Sequence, residues 1–122
     1  MSDKIVDKNT VSKIYSIVST AILSTYDSMS GIVRVVEFVY VNTGVKNPKF
    51  IKEVNQYIEN YNKARGNPDL KSNLLDELKN YLENHFYQEI FSNLSSTTVI
   101  SNILNFVQKT LHFDMSPAMK ML

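Results

Sequence analysis

The sequence predicts an all-α protein, a compact bundle of four to six helices. Three observations lead there. Apolar residues recur at spacings of three and four along most of the 122 residues. Two Asn-Pro pairs, Asn47-Pro48 and Asn67-Pro68, each stand directly ahead of such a stripe, where asparagine caps and proline opens a helix. No segment sustains the alternation of a half-buried strand. At this length one core suffices, so residues 1–122 are expected to form a single domain. Residues 1–9 are read as a flexible N-terminus and 114–122 as a C-terminal tail.

In chain order, Asn9 or Thr10 is expected to cap a first helix carrying Val11, Ile14, Tyr15, Val18, Ala21, Ile22 and Met29 on its apolar face. After Gly31 comes "IVRVVEFVYV", whose β-branched residues favour a strand. Arg34 and Glu37, three apart, share a helix face instead, and helix is the reading adopted for 32–41. Gly31 is then a bend or a packing point, and "NTG" at 42–44 supplies the helix end.

Phe50, Ile51, Val54, Tyr57, Ile58 and Tyr61 trace the next stripe, which stops at Gly66. Leu70, Leu74, Leu78, Tyr81, Leu82, Phe86 and Ile90 trace another. "SNLSST" interrupts the pattern before Val99, Ile100, Ile103, Leu104, Val107 and Leu111, and Ser116-Pro117 opens a final turn with Met115, Met119 and Leu122 on one side. "QYIENYN" at 56–62 and "NYLENHF" at 80–86 share an order of residue types, which similar helix faces in a biased composition produce without an internal repeat.

Charge distinguishes the helices. Residues 12–30 hold eight Ser or Thr and two charges, whereas 49–65 hold six charges. A solvated face gathers Lys and Glu, while small hydroxyls permit close helix approach and can bond back to the backbone. The first helix is therefore expected to be enclosed on both sides, by its own fold or by another subunit. Ser12, Ser16, Ser19, Thr20 and Ser24 are the interface candidates, joined by Met115 and Met119 as an adaptable docking surface.

Residues 41–66 carry five basic and two acidic groups and 67–94 carry two basic and five acidic, so these neighbours should pair antiparallel across a short turn. The alternative use of Lys46, Lys49, Lys52, Lys63 and Arg65 is as a phosphate-binding patch for nucleic acid. With 13 basic residues against 12 acidic ones the chain as a whole has no general attraction for nucleic acid or anionic lipid, so only such a local patch could serve; Lys49, Lys52 and Lys63 form no continuous helical row, and only Arg34 and Arg65 offer bidentate base contacts.

Catalytic signatures are missing. Without cysteine there is no disulfide scaffold, iron–sulfur cluster or thiolate nucleophile. The three glycines are isolated, which excludes a phosphate-cradling loop, and no serine stands in a nucleophile elbow. His85 and His112 sit beside aromatic residues, the setting of a core or helix-edge histidine; His85 and Glu89, four apart, supply only two ligands to a metal. No cofactor is expected.

Asp and Lys mixed through the first nine residues make neither a secretion signal nor a transit peptide, and an intracellular site is expected. The longest uncharged run, 90–108, is a poor membrane span because 10 of its 19 residues are Ser, Thr, Asn or Gln. Phe, Tyr, Met, Ile, Asn and Lys total 52 residues against 11 for Gly, Ala, Arg and Pro, the skew that AT-rich codons of many compact viral genomes produce.

From Arg34 onward, "RVVEFVYV" resembles the buried central helix of the B-cell-lymphoma family of apoptosis regulators, and "YLENHF" at 81–86 resembles a later helix there. That resemblance implies a short, non-enzymatic helical bundle that sequesters partner helices in a groove. The Asn-Trp-Gly that usually precedes the arginine is missing, the chain has no tryptophan, and no binding residue carries over. The function expected from the residues themselves is non-enzymatic contact with another protein, chiefly self-association through the Ser/Thr side of 12–30, as in a viral structural or host-modulating component.

Overall fold

A computed structural model describes residues 5–24, 29–43, 48–64 and 66–122. The described residues form an all-α bundle of six α-helices, with one π-helical segment and one 3-10 turn. Helix α1 spans Lys8–Ser24, α2 Met29–Thr43, α3 Pro48–Lys63, α4 Pro68–Tyr81, α5 Thr97–Leu111 and α6 Ser116–Met119. The stretch 32–41 is helix, as Arg34 and Glu37 required: four of its six β-branched side chains, Ile32, Val35, Val36 and Val39, are buried, and packing outweighs their strand propensity. Gly31 lies inside the first turn of α2 and is buried there, a packing point within a helix and not a bend between two helical pieces.

The chain enters α1 earlier than Asn9. The Asp7 carboxylate accepts the Thr10 backbone N–H at 2.7 Å, filling one of the donors a helix start leaves open. Within the expected flexible segment, Val6 is buried and its N–H bonds the Ser95 carbonyl at 2.8 Å, so residues 5–9 are tied to the turn ahead of α5. The proposed tail is likewise packed: Met115 and Ala118 are buried, and the Met115 N–H bonds the Gln108 side chain at 3.0 Å.

Helices α3 and α4 form the antiparallel pair expected from their charges. Phe50, near the start of α3, meets Tyr81 at the end of α4 with 5.4 Å between ring centroids. Tyr61, near the end of α3, lies under the Lys71 ammonium from the first turns of α4, 4.9 Å away. Between them Gly66 takes φ +83° and Asn67 caps α4 by accepting the Leu70 N–H at 3.1 Å. Asn47, the other expected cap, lies outside the described residues.

The α4 helix does not stop where its hydrogen-bond pattern changes. At Leu82 it widens into nine residues of π-helix, Leu82–Ile90, then tightens into a 3-10 turn, Phe91–Asn93. The buried stripe explains the change. Leu78, Leu82, Phe86 and Ile90 repeat at four, which overshoots an α-helical turn by about 40° at each step. In the wider i→i+5 turn four residues fall short of a full rotation instead. Mixing the two keeps the stripe on one side, against Tyr15 of α1 and Phe50 of α3, and the buried side chains of all segments join in one cluster.

Candidate functional site

A helix that faces a core with one four-residue row presents other four-residue rows on its flanks. On the α3 side the wide turn aligns Tyr81, His85 and Glu89, and these face Lys49, Glu53, Gln56, Tyr57 and Asn60 of α3. The result is a groove with a main cavity of about 560 Å³, lined by Glu53, Gln56, Tyr57, Asn60, Tyr81 and His85. A smaller extension of about 190 Å³ continues past Lys49, Phe50 and Glu89.

Its side chains hold one another in place. The Tyr81 hydroxyl donates to the Glu53 carboxylate, which also stands 3.8 Å from the Lys49 ammonium. Tyr81 lies between two rings, with centroids 5.1 Å from Tyr57 and 4.6 Å from His85. Nδ1 of His85 is 3.4 Å from the Glu89 carboxylate, and Gln56 donates to Asn60 at 3.0 Å. Beneath, the Tyr40 hydroxyl is buried without a hydrogen-bond partner; burial first, then the charges of Glu89 and Glu53, push its pKa well up. Both carboxylates therefore project a negative field into this part of the molecule.

The other flank of the same helix meets α1. There Tyr15, Ser16, Ser19, Thr20 and Leu23 face Lys79 and Glu83 across a groove of about 230 Å³. Ser12, Ser16, Thr20 and Ser24 are exposed, while Ser19 is buried. Enclosure by the chain's own fold thus reaches Ser19 alone, because α1 turns Val11, Ile14, Val18 and Ile22 to the core. Ser16 and Thr20 donate their hydroxyl hydrogens to carbonyls four residues back, at 3.3 and 2.9 Å. The Tyr15 phenol is 4% exposed, and its hydroxyl lies beside that of Ser19. Burial, then Glu83, raises its pKa, with the Ser19 hydroxyl acting in the opposite direction.

The remaining candidates separate. Met115 is a core residue and Met119 is half-buried against the same core, because α6 folds back onto α1 and α5; this corrects their reading as a docking surface. Lys49, Lys52 and Lys63 are exposed on α3, but Lys49 is beside Glu53 and the acidic Glu59 lies between Lys52 and Lys63. Lys46 and Arg65 lie outside the described residues. His112 takes a left-handed φ of 55° and ends α5, a structural position.

Sequence reading passed over the α3–α4 groove. Its one trace was the echo between 56–62 and 80–86, which sets Tyr57 and Tyr81 at equivalent places and which the antiparallel pairing brings face to face. Among the described residues no group of three or more His, Asp or Glu is placed to hold a metal ion, and no helix is long and apolar enough to cross a membrane. Comparison with family models, curated proteins and solved structures finds no match to this chain.

Proposed function

We propose that the protein acts without catalysing a reaction, by associating with a second copy of itself across the Ser/Thr row of α1. The observation that supports this is the row's chemistry over the Tyr15 hydroxyl. Ser12, Ser16, Thr20 and Ser24 are exposed yet uncharged, and the hydroxyls of Ser16 and Thr20 already bond their own helix. Such a face loses little when water leaves it, and its small side chains let another backbone come close. Tyr15, buried at the edge of the same groove with the Ser19 hydroxyl beside its own, and the half-buried Leu23 give an incoming helix a packed floor to cover. Lys79 and Glu83 supply a charged rim. In a virus, an assembly of this kind would serve a structural or host-modulating role.

Light scattering over a dilution series tests the reading. The expected result is a dimer or larger species that dissociates on dilution, and that Ser16→Lys and Ser24→Lys convert to monomer with helicity unchanged. A monomer at every concentration, or an assembly indifferent to both lysines, would overturn it.

A further inference from the structure

The α3–α4 groove lies on the opposite flank of the π-helical segment from α1, and its chemistry is different. We infer that it is a binding site for the guanidinium group of an arginine side chain carried by a partner polypeptide.

Charge comes first. Glu53 and Glu89 face the groove, and among the described lining residues Lys49 alone is a fixed positive charge; its exposed ammonium stands 3.8 Å from Glu53 on the side of the extension, which leaves the lining with a net negative charge. Among the described residues the main cavity is lined by one carboxylate, Glu53, and by no lysine or arginine side chain. An anion would be repelled here, and a cation is favoured.

Shape and surface then select among cations. Tyr57, Tyr81 and His85 supply three ring systems around the carboxylate, with centroid separations of 5.1 and 4.6 Å along the series. A planar guanidinium stacks on such faces and presents a fork of N–H donors to a carboxylate; a compact, strongly hydrated ammonium does neither as well. Gln56 and Asn60 border the same cavity with amide groups able to accept the remaining donors. The anchoring carboxylate is held before any ligand arrives, because Tyr81 donates to Glu53 from across the groove. The smaller extension past Phe50 and Glu89 gives the chain beside that arginine a track along the two helices, which fits a polypeptide better than a free small cation.

An NMR titration of the ¹⁵N-labelled full chain tests the assignment, with N-acetyl-arginine methylamide as probe and the lysine and citrulline analogues as matched comparisons. Expected are saturable amide shifts confined to residues 49–60 and 81–89 with arginine, weaker ones with lysine, and none with citrulline, which keeps the shape and lacks the charge. Glu53→Gln, which can still accept from Tyr81, should weaken arginine binding about tenfold or more. Tyr57→Leu, which leaves that bond untouched, should weaken it several-fold. Equal shifts with citrulline, shifts scattered outside the groove, or undiminished binding by folded Glu53→Gln and Tyr57→Leu proteins would overturn the inference. Because the probe is monitored on α3 and the π-helical segment, the outcome is independent of whether α1 self-associates.

Discussion

The ring of Phe38 on α2 lies flat against the ring of Phe106 on α5, with 4.2 Å between centroids and 6° between planes. The guanidinium of Arg34 sits 5.8 Å from the centre of Phe106, so a cation and two rings clamp these helices at the edge of the core. Both phenylalanines are half-buried. Phe38→Ala and Phe106→Ala should each cost about 2 kcal/mol, less than a fully buried phenylalanine. In urea unfolding, the double variant should lose about 1 kcal/mol less than the sum of the singles, since the second truncation removes a contact already gone.

Met115 tests whether the C-terminal segment covers the core. Being completely buried, it should cost about 3 kcal/mol on replacement by alanine, whereas Met119→Ala should cost about 1 kcal/mol. Equal and negligible losses would mean that α6 does not close the bundle in solution.

The turn between α3 and α4 separates two backbone effects. Adding a Cβ at Gly66 meets nothing within 4 Å, so Gly66→Ala should destabilise only through its positive φ, by about 1 kcal/mol. Gly66→Asn should recover part of that loss. Asn67→Ala removes the side-chain oxygen that caps α4 and should cost about 1 kcal/mol, while Asn67→Asp should be close to neutral.

Ser19 and Ser12 lie on one helix but in different surroundings. Ser19→Lys would drive a charge into a buried position beside Tyr15 and should lower stability by about 2 kcal/mol; Ser12→Lys should leave it within about 0.5 kcal/mol. Thermal melts at a concentration low enough to exclude assembly would distinguish the two.

Acid stability has two identifiable contributors. The Thr10 N–H and hydroxyl lower the pKa of Asp7, and the Ser116 hydroxyl and N–H lower that of Asp114. Each folded-state value lies below the unfolded one, so the stabilisation is complete above about pH 4, the unfolded carboxylate range, and is lost as pH falls through the lowered folded value. The double variant Asp7→Asn, Asp114→Asn retains oxygen acceptors that do not titrate. Its urea midpoint should therefore fall less steeply than the wild-type midpoint below about pH 4.

Much of the fold was legible because local chemistry and packing agree. Pro68 and Asn67 start α4, Ser96 caps α5 by accepting the Val99 N–H at 3.1 Å, and the stripes of α3 and α5 face the core as their spacing requires. Asp7 was missed as a cap because Asn9 and Thr10 stand closer to the first apolar positions and are equally good capping types. The methionines were misjudged because flexible side chains suit an adaptable surface and an irregular core gap alike. Nothing local says which of those a terminal segment will meet.

The sequence by itself determined that this chain is helical, where most of its helices begin, which residues of α3 and α5 turn inward, and that α1 carries an uncharged row; Leu70, read as part of the α4 stripe, is exposed. Those properties follow from periodicity, capping and side-chain type, all read within a few residues. Only the tertiary structure decided that Ser12, Ser16, Thr20 and Ser24 are left exposed while Ser19 is buried, that Met115 is enclosed, and that residues 82–90 widen into a π-helix. A stripe repeating at four is compatible with an ordinary helix until a neighbour on each side demands contact with all of it. Once α1 and α3 make that demand, widening the turn keeps Leu82, Phe86 and Ile90 buried and sets Tyr81, His85 and Glu89 in line opposite Glu53 and Tyr57.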